Sequence, residues 1–309
     1  MSYPYLSDIF NAWFGTNWHI PIAMFGTLVA TALIIASFIA RLEFSRYEKL
    51  GLLPRSIESS QGPISPHQAV PDLIIVCAVW GLIGARLFHI LDYPSTFLSD
   101  PLSMIFTRSG FSIYGGLVIG TIAGILYLRK RSIPIAVSLD AAAPAMILGY
   151  GIGRLGCQIA GDGDWGIASN MALKPSWIPG WFWAQTYENN ILGVTIPEPG
   201  VYPTPIYEFG MAILIFVILW SLRKRMGNSG GLFSLYLVLS GFERLLIEKV
   251  RINKELFAFD YSFTQAEIIS VLIIIGGLTG TLLISSSKLV AKIGFSFVVV
   301  GALTACASI

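Results

Sequence analysis

The sequence predicts an all-α fold: a polytopic membrane helix bundle of about seven transmembrane helices, with a shorter eighth hydrophobic segment. Three observations carry this. The 309-residue chain is 54% hydrophobic and only 12% charged, whereas a soluble domain carries about 25% charged residues. Its apolar residues gather into runs close to the roughly 20 residues that cross a bilayer as a helix. Basic residues collect in alternate gaps between those runs, as they do in multi-pass proteins. A β-barrel would show weaker segments of alternating polarity instead.

In order, the apolar runs cover residues 19–40, 71–91, 111–128, 133–157, 205–222, 231–246 and 263–284, and the shorter one 293–305. Arg41, Arg46, Lys49 and Arg55 follow the first run, and Arg129, Lys130 and Arg131 the third. Arg223, Lys224 and Arg225 follow the fifth, and Lys288 and Lys292 the seventh. The positive-inside rule places these gaps in the cytoplasm and the N-terminus outside. Lys249, Arg251 and Lys254 lie on the opposite side and weigh against that assignment without reversing it. Three parts are expected: an outer segment 1–18, a seven-helix domain 19–286 and a hydrophobic tail 287–309. The start has no basic stretch ahead of its first apolar run, so no cleavable signal is expected.

Three isolated cysteines and three scattered histidines exclude a disulfide framework and a histidine metal cluster. A net charge of +2 gives no sign of nucleic-acid binding. The predicted outer loop, residues 161–202, is dense in aromatics: Trp165, Trp177, Trp181, Phe182, Trp183, Tyr187 and Tyr202. Interfacial anchoring accounts for them, and so does a lid over a lipid-facing site. In the tail, Leu303-Thr304-Ala305-Cys306 imitates a lipobox behind two lysines, or else simply ends an eighth apolar segment.

The stretch 149–166, GYGIGRLGCQIAGDGDWG, holds the strongest functional signal. Arg154 sits at membrane depth, where a cation faces a protein interior or a wet cavity. The plainer alternative is a packing helix, with close approach at Gly149, Gly153 and Gly156, whose arginine snorkels to the surface. Arg86 carries His89 and Asp92 along one helix stripe, and Arg244 is followed by Glu248 at i+4 and Arg251 at i+7. Each set makes sense as a neutralised buried group. Arg154 and Arg244 also both approach the outer ends of their helices, where two guanidiniums can take one phosphate bidentately. Ser112 and Tyr114 open the third run; Thr204, Tyr207 and Glu208 open the fifth. Glu208 is favourable near a helix N-terminus in any case. Asp162 and Asp164 form no EF-hand loop, since the glutamate at its twelfth position is missing.

These blocks together resemble the prolipoprotein diacylglyceryl transferases of the bacterial inner membrane. GRLGCQIAGDGDWG is similar to that family's signature, approximately GRxGNFxNGExxG, with Arg154 at its arginine and Asp162 at its glutamate. SIYGGLVIG resembles its SFHGGLxG block, YPTPIYE its HPxQLYE block, and ERLLIEKVR its RFxxEFxR block. In the last, Arg244, Glu248 and Arg251 all match. The departures are Tyr114 for a histidine, Cys157 for an asparagine, Tyr202 for a histidine and Ser240 for a tyrosine, the marks of a divergent member.

The resemblance implies transfer of the diacylglyceryl group of phosphatidylglycerol to the lipobox cysteine of a prolipoprotein signal peptide, releasing glycerol phosphate. It implies catalytic roles for Arg154, Asp162, Arg244, Tyr114 and Cys157. Arg154, Arg244, Glu248, Arg251, Tyr207 and Glu208 would bind phosphatidylglycerol. No cofactor and no metal are expected. Tyrosine is a poorer base than histidine at neutral pH. Two alternatives therefore stand: a relative that moves a lipid-derived group to another acceptor, with Cys157 as a nucleophile beside arginine, or a silent lipid-binding protein.

Overall fold

A computed structural model describes residues 2–59, 62–106, 110–226, 230–253, 255–258 and 261–283. The expected eighth apolar segment, 293–305, lies outside these residues, as do Lys254, Lys288, Lys292 and Cys306. Long helices dominate: α2 (Met24–Lys49), α3 (Val70–Asp92), α6 (Ile113–Lys130), α7 (Ile135–Ala160), α9 (Thr204–Leu222), α10 (Gly231–Glu248) and α11 (Gln265–Leu283). Shorter helices are α1 (Leu6–Phe14), α4 (Pro94–Ser99), α5 (Pro101–Phe106) and α8 (Gly180–Trp183). Two antiparallel strand pairs are also present, β1 (Ile57–Ser59) with β2 (Gly62–Ile64) and β3 (Glu255–Ala258) with β4 (Tyr261–Thr264).

Among the described residues, six helices are long and apolar enough to cross a membrane. The one expected span not among these six, α10 (the sixth apolar run), is 18 residues long but carries Glu243, Arg244 and Glu248. Its charges lower its apolarity. This is a multi-pass membrane protein.

The chain divides into two compact units. In residues 37–141, α3 and α6 pack along facing glycines. A Cβ on Gly84 would overlap the Gly115 carbonyl and stand 2.5 Å from Ile119 Cβ, and a Cβ on Gly115 would stand 2.5 Å from Phe88 Cβ. Close backbone approach of this kind replaces the hydrophobic drive that helices lack inside lipid. Gly84→Ala is expected to cost roughly 1–3 kcal/mol through overpacking, read as a lowered thermal midpoint in detergent. Gly26→Ala, which would meet nothing within 4 Å, is the neutral control. In the same unit Arg86 donates to the Gly110 carbonyl at 2.9 Å and lies over the Phe111 ring at 4.2 Å. His89 packs on Tyr93. The end of α2 is tied to the following turn by Glu48, which accepts from the His67 backbone N–H at 2.6 Å.

The other unit joins residues 1–36 to those from 142 onward. Its core sets Ile147 of α7 among Ala212, Ile215 and Leu219 of α9 and Leu232, Leu235 and Leu239 of α10. Glycine again sets the spacing: a Cβ on Gly277 of α11 would come within 2.7 Å of the Ser234 carbonyl on α10. On α7, Gly156 faces Phe25 and Gly149 faces Ala36, both of α2, as expected of close approach. Gly153 has open space around it, so helix packing does not explain it. Gly151 does that work instead, letting α7 approach Ala212 of α9.

Candidate active site

The close approach of α7 and α9 brings Arg154 against Glu208. Arg154 Nε and Nη2 both donate to Glu208 Oε2, at 2.7 and 2.6 Å. Its third nitrogen, Nη1, donates to Asp164 Oδ2 at 2.6 Å and meets Cys157 Sγ at 3.6 Å. Arg251, just beyond α10, reaches the same two acids. Its Nη2 lies 2.6 Å from Asp164 Oδ1 and its Nη1 3.2 Å from Glu208 Oε1. The result is a square of two guanidiniums and two carboxylates. Glu208 is 1% exposed. Such a group is tolerated because every charge is paired and hydrogen-bonded.

The loop after α7 is held so that Asp164 reaches both arginines. Asp162 Oδ1 accepts from the Asp164 backbone N–H at 3.2 Å, an Asx-type turn. Thr204 donates to the Asp164 carbonyl at 2.8 Å, and Ile167 N–H to the Val250 carbonyl at 2.9 Å. Gly166 must be glycine here: a Cβ would overlap the Val250 carbonyl and come within 2.8 Å of Thr204. One residue along, that strand-like contact pairs Gly166 with Arg251 and fixes the second guanidinium. Cys157, Asp162 and Asp164 place three ligand-type atoms within 4.8 Å of one another. Both oxygens of Asp164 are already engaged by arginines, so the local charge does not favour a cation.

Burial by itself raises the Asp164 carboxyl, but Arg154 and Arg251 outweigh it and hold the group below the ordinary range. A depressed acid contributes stability that is present above its unfolded value and lost as pH falls toward the folded one. The thermal midpoint is therefore expected to be insensitive to this group at neutral pH and to drop below about pH 4. Asp164→Asn should flatten that acid limb in a pH series of melting curves.

The sequence paired Arg154 with Arg244. In the structure it is Arg251 that shares carboxylates with Arg154, while Arg244 Nη2 pairs with Glu248 one turn on, at 2.8 Å. Glu248, 2% exposed, also accepts from Asn253 at 2.6 Å. Arg244 Nη1 is buried and has no hydrogen-bond partner among the described residues. Asp164, more than Asp162, carries the ion pairs. The Tyr207 hydroxyl donates to the Phe182 carbonyl at 2.7 Å, tying the aromatic loop to α9. Tyr114 belongs to the 37–141 unit, in the first turn of α6, and is 37% exposed.

The aromatic loop is itself ordered. Tyr187, 2% exposed, packs on Trp165 and donates to Gln158 of α7 at 2.7 Å. Trp183 donates to the Asn170 carbonyl at 3.0 Å, while Trp177 and Trp181 remain 81% and 62% exposed.

The model of the prolipoprotein diacylglyceryl transferases matches residues 13–283. The chain belongs to the prolipoprotein diacylglyceryl transferase family. It is a membrane transferase. It is similar to three relatives named phosphatidylglycerol–prolipoprotein diacylglyceryl transferase. That of Leptospira interrogans is 26% identical, over 89% of this chain and 92% of the relative. That of Staphylococcus saprophyticus is 29% identical over 83% and 84%, and that of Bordetella avium 31% over 63% and 69%.

Two members of the cluster were not singled out from the diacylglyceryl transferase motifs, Tyr150 and Glu243. Tyr150 donates to Glu208 Oε1 at 3.0 Å, and its hydroxyl lies 3.4 Å from Glu243 Oε1. The signals were present. Tyr150 stands one turn before Arg154, and Glu243 is an acid in an apolar span directly before Arg244.

Proposed function

We propose that this protein transfers the diacylglyceryl group of phosphatidylglycerol to the lipobox cysteine thiol of prolipoproteins. It does so from the inner membrane of a bacterium, with its N-terminus outside. Family membership and the relatives' names support the reaction, and the basic clusters in alternate gaps support the orientation. The observation that carries the assignment to this site is the contrast between its arginines. Arg154 and Arg251 are each paired with both Glu208 and Asp164, whereas Arg244 keeps a buried Nη1 with no acceptor among the described residues. A buried donor calls for an acceptor, and a phosphate oxygen matches a guanidinium best.

On this reading the cysteine sulfur bonds to the diacylglyceryl carbon as that carbon's bond to the phosphate oxygen breaks. The electron pair leaves with glycerol phosphate. Arg244 and Arg154 stabilise the charge that accumulates on the leaving oxygen. Asp162, which is not engaged by Arg154 or Arg251, is assigned to receive the thiol proton. Glu248 orients Arg244, and Glu208 and Arg251 hold Arg154. Cys157 contributes its Sγ contact with Arg154. Tyr114 enters by its motif position alone. An apolar pocket lined by Ile178, Phe182, Tyr207, Met211 and Leu246 suits an acyl chain.

Purified protein in phosphatidylglycerol bilayers, given a synthetic lipobox peptide, should yield the mass of the diacylglyceryl thioether. Arg244→Lys keeps the charge and its pairing with Glu248 but loses the planar fork. It should slow product formation by about 10–100-fold for one lost transition-state donor. A folded wild type that makes no thioether would overturn the assignment.

A further inference from the structure

Among the described residues, Glu243 is the one acid near the arginine square that the reaction scheme leaves without a role. It is 4% exposed on α10. The surrounding charge is already balanced: Arg154 and Arg251 answer Glu208 and Asp164, and Arg244 answers Glu248. A further ionised carboxylate would be an uncompensated buried charge, which costs several kcal/mol in a site of this kind.

Proton counting at Tyr150 points the same way. The hydroxyl has one proton and can donate once. It lies 3.0 Å from Glu208 Oε1 and 3.4 Å from Glu243 Oε1. Glu208 is held as a carboxylate by both guanidiniums and accepts that single proton. If Glu243 were also ionised, its oxygen would face the Tyr150 oxygen lone pairs with no hydrogen between them. A proton on Glu243 removes the conflict, because the acid then donates to the tyrosine oxygen. The other charged groups acting on Glu243 are Glu208, Arg244 and Arg154, and Tyr236 stands two turns earlier on α10. Both arginines are committed to other acids.

We propose that Glu243 is a neutral carboxylic acid that donates to Tyr150 and so positions the Glu208–Arg154 pair. The order of donation is Glu243 to Tyr150, Tyr150 to Glu208, with Glu208 holding Arg154 by Nε and Nη2 while Asp164 holds its Nη1. Glu243 is a positioning residue: it reaches the reacting atoms only through Arg154.

Two measurements test this. Infrared difference spectra of wild type against Glu243→Gln, in H2O and D2O, should show a protonated carboxylic C=O band that shifts on deuteration and vanishes in the variant. Absence of that band at neutral pH overturns the inference, whatever the activity. In the thioether assay Glu243→Leu, which fills the space without a donor, should lower kcat about tenfold for one buried hydrogen bond left unmade. KM for the peptide should hold. Glu243→Gln supplies a neutral N–H donor and should restore the rate to within about threefold. A Gln variant as slow as the Leu variant would mean that an ionised carboxylate is needed, and would overturn the neutral-acid assignment. The kinetic arm rests on the transferase reading, whereas the infrared arm does not, so the two fail separately.

Discussion

Arg154→Ala should abolish thioether formation and destabilise the protein together. Three side-chain nitrogens of Arg154 hold two acids from two different elements, Glu208 on α9 and Asp164 in the loop after α7. Removing the guanidinium deprives the leaving phosphate of a preorganised cation, worth about 10²–10³ in rate. It also leaves a carboxylate that is 1% exposed with Arg251 as its one remaining cationic partner, a loss of the order of 3–5 kcal/mol for a broken buried pair. Arg154→Lys separates the two effects. An ammonium keeps the charge but cannot bridge Nε and Nη2 to Glu208 while reaching Asp164 with a third nitrogen. The lysine variant should therefore melt only modestly lower than wild type yet remain slow by about 10²-fold. Melting curves in detergent and initial rates on the same preparations check this. A lysine variant with full activity would remove Arg154 from the chemistry.

The largest effect on stability alone is expected at Glu208. Its carboxylate accepts from Arg154, Arg251 and Tyr150. Glu208→Ala strands two guanidiniums and a hydroxyl around a small void, with an expected loss of about 3–5 kcal/mol. The deficit should be partly relieved by removing one of the stranded charges. Glu208→Ala with Arg251→Ala should be more stable than the sum of the single losses predicts, with a coupling of about 1–3 kcal/mol. Thermal unfolding of the two single variants and the double variant closes the cycle. Strict additivity would mean that Arg251 and Glu208 do not share the pair that the 3.2 Å contact describes.

Much of this protein was legible one residue at a time. Spans announce themselves because a bilayer demands about 20 apolar residues per helix, and the first seven expected runs coincide with the long helices. Arg154, Arg244 and Glu208 stood out because charge in an apolar run needs a reason. Even α10, the least apolar span, was visible for the same reason that it matters.

Partnership was not legible. Spacing along one helix pairs Arg244 with Glu248 correctly, since i and i+4 share a face. It says nothing about which acid on another element meets Arg154. Motif position pointed to Asp162, yet the turn that Asp162 itself closes onto the Asp164 N–H aims the next acid at both arginines. The second guanidinium of the square is Arg251 and not Arg244, because Gly166 pairs with Arg251 across a backbone contact that only a glycine admits. Tyr150 and Glu243, 93 residues apart, gain meaning only when α7, α9 and α10 close on one another. The sequence by itself determined which segments form long apolar helices and which of them carry charge, because those are costs that each segment meets alone. Which charge answers which was decided by the tertiary structure, because ion pairing inside a bundle depends on helix approach, and that approach is set by small residues such as Gly151.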